Sequence, residues 1–181
     1  MSIGVLFVML HRRNLLEFSA FLLLSAALAG IVAPHASAVD REIYPAPEQA
    51  RADLAAGLKI ARSNHKNVIL DFGGNWCGDC QVLNLYFHDS TNRPILDANY
   101  VLVHINIGHM DVNQEIAAHY NVLLTKGVPV LAVLDEHGKL IFSQKTGVFE
   151  SIRGVQSSSV TGFLMQWKPV KPGCSVVQIN C

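Results

Sequence analysis

Two cysteines, Cys77 and Cys80, stand three positions apart in the segment Trp-Cys-Gly-Asp-Cys. When the first cysteine of such a pair begins a helix, the two sulfurs come within reach of a disulfide bond, and the second sulfur is the more buried. The free N–H groups at the start of a helix favour the thiolate, which is the form that attacks disulfides. The spacing therefore predicts thiol–disulfide exchange, with Cys77 as the exposed sulfur.

Metal binding is the competing interpretation of the same spacing. A structural zinc site needs about four ligands and usually a second cysteine pair at similar spacing. Cys174 and Cys181 are too far apart to form such a pair, and the histidines of the sequence form no tight cluster. We therefore predict no metal site. Copper(I) capture by the two thiolates of Cys77 and Cys80 is the alternative function, because soft sulfur ligands suit that ion.

The charge of the chain is balanced, with 14 basic and 14 acidic residues among 181. A neutral chain has no electrostatic reason to bind the phosphate backbone, so we expect no nucleic-acid partner. All four cysteines lie after residue 38. Four cysteines allow three complete pairings. The spacing favours Cys77 with Cys80 and Cys174 with Cys181, and we interpret the second pair as a structural disulfide. A second redox pair that relays electrons to or from Cys77 and Cys80, or free or intermolecular thiols, are the alternatives for Cys174 and Cys181.

The N-terminal block has the pattern of a secretory signal peptide. Two arginines precede an apolar run, and Ala36-Ser37-Ala38 supplies small residues at alternate positions. We therefore expect a signal peptide over residues 1–38 and a periplasmic, disulfide-permissive location. An uncleaved membrane anchor is the alternative, because the apolar run is nearly long enough to span a bilayer.

Strands and helices alternate along the rest of the chain, which predicts an α/β domain with one mixed sheet and helices on both faces. A helix opens at Pro47, and a buried strand at residues 68–72 leads through two glycines into the cysteine pair. The further expected elements are helices over residues 80–88 and 111–120, strands over residues 100–107, 128–134 and 139–144, and a last helix capped by Ser158 or Ser159.

The segment VILDFGGNWCGDC, residues 68–80, resembles the active-site segment of the thioredoxin superfamily. The similarity extends over about residues 68–167. Val128-Pro129 matches the family's cis-proline loop, and residues 135–138 match its hairpin turn. The resemblance implies a thioredoxin fold. On the basis of this resemblance and the signal-peptide pattern, we divide the chain into four parts. They are the signal peptide, an N-terminal extension and helix at 39–66, a thioredoxin-like domain at 67–168 and a tail at 169–181.

The resemblance also implies roles for single residues. Cys77 would attack a partner disulfide, Cys80 would resolve the mixed disulfide, and Asp71 would relay a proton to or from Cys80. Trp76 would cover the active-site surface, and Val128 with Pro129 would bind an extended substrate. His104 stands where the family often has lysine, and we interpret it as a polar residue of the sheet rather than a catalytic base.

These roles describe a thiol:disulfide oxidoreductase that needs no bound cofactor, because the cysteine pair is the redox group. Its partners would be protein thiols and disulfides, together with a membrane-bound or exported protein that resets the pair. Asp79 departs from the family, which typically has proline at this position. Because an acid beside a thiolate opposes its formation, we expect a reductase or a mild exchanger rather than a strong oxidant.

Overall fold

The computed structural model describes residues 42–170. Both the predicted signal peptide at residues 1–38 and the predicted disulfide between Cys174 and Cys181 lie outside this part of the chain. Within residues 42–170, no helix is long and apolar enough to cross a membrane.

Among residues 42–170, the 3₁₀ turn Pro47–Gln49 precedes the first helix, and two further 3₁₀ turns are Leu124–Lys126 and Ile152–Gly154. The helices are α1 (Ala50–Asn64), α2 (Gly78–Phe87), α3 (Asn92–Asn99), α4 (Gln114–His119) and α5 (Ser157–Gln166). The strands are β1 (Asn67–Gly73), β2 (Tyr100–Asn106), β3 (Val130–Leu134) and β4 (Leu140–Ser143).

The four strands form one mixed sheet in the order β2-β1-β3-β4. The strand β1 pairs with β2 in parallel, as expected for two strands joined through helices, and its other edge pairs with β3 antiparallel. The strand β4 closes the sheet as an antiparallel hairpin with β3. Since β1 has a neighbour on each side, all seven of its residues are buried. The predicted mixed sheet is confirmed.

Alternate side chains of β1 belong to two hydrophobic clusters, one on each face of the sheet. Val68, Leu70 and Phe72 pack in a cluster with residues of α1 and α4. Ile69 packs in the other cluster with residues of α2, α3 and α5. This alternation follows from the two-residue period of a strand. The prediction of helices on both faces is confirmed. The segment that leads to the cysteine pair is the central strand β1, which lies between these two clusters.

Three element boundaries differ from those expected. The helix α4 begins at Gln114 rather than at residue 111, because Asn113 has a left-handed backbone with φ of 55° that no helix can continue through. The strand β3 begins after Pro129, which has no N–H to donate to a neighbouring strand. The predicted serine cap of α5 is wrong: Gln156 is the capping residue, and its side chain makes no capping hydrogen bond.

Replacement of a helical glycine by alanine should change the free energy of unfolding in opposite directions at two positions. A methyl group on the buried Gly57 of α1 would lie 2.6 Å from Cγ2 of Val103, whose β-branched side chain cannot easily move aside. Overpacking of this kind costs about 1–3 kcal/mol, which outweighs the gain of about 1 kcal/mol in helix propensity. We therefore expect Gly57→Ala to lower the free energy of unfolding, measured by urea denaturation.

The matched control is Gly162→Ala in α5, where an added methyl group would meet no atom within 4 Å. There only the propensity gain remains, so the free energy of unfolding should rise by about 0.5–1 kcal/mol. An equal effect of the two substitutions would contradict the close packing of α1 against β2.

Candidate active site

Cys77 and Cys80 meet at the start of α2. Cys77 is the N-cap residue with an extended backbone, and its sulfur accepts a hydrogen bond from the backbone N–H of Cys80 at 3.1 Å. The two sulfurs form a disulfide bond, which confirms the predicted pairing of Cys77 with Cys80. Cys77 is 5% exposed and Cys80 is fully buried. Of the two cysteines, only Cys77 therefore keeps any surface that a partner can reach.

The loop before β3 lies against the first cysteine. The Val128–Pro129 peptide bond is cis, as the resemblance implies. The carbonyl oxygen of Val128 lies 3.5 Å from the sulfur of Cys77. A partner chain that reaches the Cys77 sulfur must therefore lie beside the backbone of Val128, next to a proline that cannot donate a hydrogen bond.

Trp76 lies on the surface beside the disulfide and is 50% exposed. Its indole N–H donates a hydrogen bond to the carbonyl oxygen of Gly108 at 2.6 Å. Its ring stacks on the ring of His109, with 5.6 Å between centroids and 19° between planes. These contacts hold a flat aromatic surface next to Cys77, which suits the expected role of Trp76 in covering the site. His109 was not among the residues singled out from the sequence.

Asp71 of β1 is fully buried, and two polar groups contact one of its carboxylate oxygens. The hydroxyl of Tyr44 donates to Oδ2 of Asp71 at 2.8 Å, and Nδ1 of His104 lies 3.0 Å from the same oxygen. The other oxygen, Oδ1, is buried without a hydrogen-bond partner in the described part of the chain. Burial and the Asp71 carboxylate hold the pKa of Tyr44 well above its usual value, so this hydroxyl remains a donor.

Asp79 is bound on both oxygens by a residue far away in the sequence. Nε of Arg153 donates to Oδ1 at 3.1 Å and Nη2 donates to Oδ2 at 3.0 Å, while the backbone N–H of Arg153 also donates to Oδ1. These hydrogen bonds lower the pKa of Asp79. The carboxylate is therefore charged at neutral pH, but the guanidinium compensates its charge. The repulsion between Asp79 and a Cys77 thiolate that the sequence suggested is offset by this ion pair.

The structure thus brings six of the eight predicted site residues to one end of the sheet, namely Cys77, Cys80, Asp71, Trp76, Val128 and Pro129. The other two, Cys174 and Cys181, lie outside the described residues. Sequence reasoning missed Tyr44 and Arg153 and gave His104 no place beside Asp71. Tyr44 and Arg153 join the site through contacts across 27 and 74 residues, for which a single sequence holds no signal.

Comparison with known proteins gives a consistent assignment. A thioredoxin-like family model matches residues 49–136. A thiol:disulfide interchange protein DsbD from Actinobacillus pleuropneumoniae is 31% identical over 120 residues, which cover 65% of this chain and 20% of that protein. Thioredoxin from Gallus gallus is 32% identical over 71 residues, covering 39% of this chain and 60% of the thioredoxin. The chain therefore spans only part of the length of these two relatives.

Among solved structures, a disulphide isomerase from Xylella fastidiosa Temecula1 superposes with a TM-score of 0.65 at 25% identity. The superposition covers 69% of this chain and 95% of the isomerase. The matched proteins are named for thiol–disulfide chemistry, and their names do not support the copper(I) alternative.

Proposed function

Because the chain belongs to the thioredoxin superfamily of thiol:disulfide oxidoreductases, we propose that it exchanges disulfides with partner proteins through Cys77 and Cys80. The observation that carries this proposal is the position of Cys77, which caps α2 and lies 3.5 Å from the carbonyl oxygen of Val128. A nucleophilic sulfur at a helix start, next to backbone that an extended chain can pair with, is suited to attack protein disulfides.

The proposed reaction begins when the Cys77 thiolate attacks a partner disulfide. A mixed disulfide forms between Cys77 and one partner sulfur, and the other partner sulfur leaves as a thiolate. Cys80, which is fully buried, then attacks Cys77 and releases the first partner sulfur. Asp71 is the proposed base that takes the proton of Cys80, because it is a buried carboxylate with one oxygen left without a hydrogen-bond partner among residues 42–170.

We infer that the protein is a reductase or a mild exchanger. The two residues between the cysteines are Gly78 and Asp79, so the motif itself contains no cation. The guanidinium of Arg153 lies over this turn, but its charge is matched by Asp79. Stabilisation of the Cys77 thiolate then rests on the N-terminus of α2, and a moderately stabilised thiolate gives a moderately low reduction potential.

The measurement that tests this inference is the reduction potential of the Cys77–Cys80 pair, obtained by equilibrating the protein in graded thiol–disulfide buffers and mapping the trapped peptides. We expect a value between about −270 mV, as in cytosolic thioredoxin, and about −180 mV, as in protein disulfide isomerase. A value near −120 mV would identify a strong oxidant and overturn the inferred direction.

The location and the partners are also proposals. The signal-peptide pattern at residues 1–38 supports export to a periplasm, where a membrane-bound or exported redox protein would return the cysteine pair to its starting state. We retain the division into a signal peptide, an extension and helix at 39–66, a thioredoxin-like domain at 67–168 and a tail at 169–181. A structural disulfide between Cys174 and Cys181 remains the proposed role of the tail cysteines.

A further inference from the structure

Tyr44 is a buried residue of the N-terminal segment that precedes the matched family region, and its hydroxyl reaches the buried carboxylate of Asp71. It is 2% exposed. Its backbone is tied to the loop before the cysteines: the backbone N–H of Tyr44 donates to Oδ1 of Asn75 at 2.9 Å, and Nδ2 of Asn75 donates to the carbonyl oxygen of Tyr44 at 2.9 Å. Asn75 lies two residues before Cys77, so the segment and the active-site loop hold each other in place.

The hydroxyl of Tyr44 lies close to both Asp71 and Cys80. It donates to Oδ2 of Asp71 at 2.8 Å. A methyl group on Gly73 would lie 2.5 Å from the Tyr44 hydroxyl and 2.7 Å from the sulfur of Cys80. The hydroxyl and the buried sulfur therefore cannot be farther apart than the sum of those two distances. Gly73 leaves the space in which the hydroxyl and the sulfur approach each other, and the same hydroxyl binds the carboxylate of Asp71.

The two oxygens of Asp71 are occupied unequally. Tyr44 and His104 both engage Oδ2, whereas Oδ1 is buried and has no partner among residues 42–170. A buried carboxylate oxygen without a donor is unfavourable unless a proton or a donor reaches it during the reaction. Because Tyr44 stays protonated, it always acts as a donor and holds the carboxylate in one orientation.

We propose that Tyr44 is a positioning residue for disulfide exchange, whose hydroxyl anchors Oδ2 of Asp71 so that Oδ1 stays free to take the proton of Cys80. This inference rests on the proposed function of the cysteine pair. In the step concerned, the Cys80 thiol gives its proton to Oδ1 of Asp71. The resulting thiolate attacks the Cys77 sulfur, the Cys77–Cys80 disulfide forms, and the partner sulfur leaves with its electron pair as a thiolate.

Several charged or titratable groups surround this cluster. His104 reaches Asp71 from β2, with its side chain 16% exposed, and Cys80 faces it from α2. Glu42 of the N-terminal segment, His88 after α2 and Arg93 of α3 line the same surface cavity as His104. His104 is the group whose contribution must be separated from that of Tyr44, because its Nδ1 lies 3.0 Å from the same oxygen of Asp71.

The test compares wild type with Tyr44→Phe in the full chain. Each reduced protein is mixed with an aromatic disulfide whose released thiolate is coloured, the reaction is stopped with acid, and the state of Cys77 and Cys80 is mapped by peptide mass. Formation of the mixed disulfide and its resolution by Cys80 are followed separately across pH. We expect resolution in Tyr44→Phe to slow about threefold to tenfold at the acid end, since the carboxylate loses a donor and holds a proton more readily.

When the rate of resolution by Cys80 is plotted against pH, the fall in rate on the acid side (the acid limb) should occur at a higher pH in Tyr44→Phe than in wild type. The rate at which the mixed disulfide forms should equal that of wild type. Tyr100→Phe is the matched control, because it removes a hydroxyl that donates to the carbonyl oxygen of Leu164 at 2.6 Å, in the other hydrophobic cluster. It should leave both steps and the acid limb unchanged.

Two results overturn the inference. One is an acid limb in Tyr44→Phe that coincides with that of wild type. The other is loss of the acid limb in His104→Gln, which would assign the titration to the imidazole. If the wild-type protein itself forms no mixed disulfide at Cys77, the proposed function fails instead, so the two failures are distinguishable.

Discussion

The Cys77→Ser variant is expected to lose disulfide-reductase activity on the order of 10³-fold or more, because a serine hydroxyl is not ionised near neutral pH and cannot form a disulfide. Cys77 is the sulfur that a partner can reach, since Cys80 is fully buried. The measurement is the rate at which the protein catalyses reduction of insulin by dithiothreitol. Retention of most of the activity would exclude Cys77 as the nucleophile.

The companion variant, Cys80→Ser, should stop the reaction one step later. Cys77 can still attack, but no thiol resolves the product, so a mixed disulfide with the partner should accumulate and be visible as a mass increase without reducing agent. Double replacement of Cys174 and Cys181 by serine is the control for loss of cysteines as such. If those residues form a structural disulfide, this control keeps its activity, whereas a role in electron relay would lower it.

The second large effect concerns the ion pair between Asp79 and Arg153. A methyl group on Gly78 would lie 3.6 Å from Nη1 of Arg153, so the guanidinium covers the turn between the cysteines. Asp79→Asn leaves this positive charge uncompensated beside Cys77, and Arg153→Gln leaves the negative charge uncompensated. Opposite charges stabilise a thiolate and like charges destabilise it. The two variants should therefore change thiolate formation in opposite directions.

We expect alkylation of Cys77 in the reduced protein, measured at a pH where little thiolate is present, to be about threefold to tenfold faster in Asp79→Asn and slower by a similar factor in Arg153→Gln. The double variant removes both charges and should return close to the wild-type rate. Raising the salt concentration should shrink both single effects, because Arg153 is exposed.

The matched control is Arg51→Gln, which breaks the exposed pair of Arg51 with Glu115 between α1 and α4. Its alkylation rate should equal that of wild type. A shift in the same direction for Asp79→Asn and Arg153→Gln would mean that the substitutions act through the shape of the turn rather than through charge. Acidification gives a further check on the pair, since the lowered pKa of Asp79 keeps the ion pair intact until the pH falls through that pKa.

Much of the fold was predictable from local patterns. The apolar run around Val68 and the two glycines after it predict a buried strand followed by a tight turn, and the cysteines then begin a helix. Because these features depend only on residues that are close together in the chain, they can be predicted from a single sequence. The predicted start of α4 failed because it depended on a single backbone conformation, the left-handed Asn113, which a hydrophobic pattern does not encode.

The identity of the cysteine pair and its place at the start of α2 were determined by the sequence itself, because motif and spacing fix them. The proline that faces the pair was implied by the resemblance to the thioredoxin superfamily. The electrostatic surroundings of the pair were decided only by the tertiary structure. Arg153 reaches Asp79 across 74 residues and Tyr44 reaches Asp71 across 27. Charge compensation and burial depend on which distant side chains the sheet and helices bring within hydrogen-bond distance, and this information is absent from any local segment.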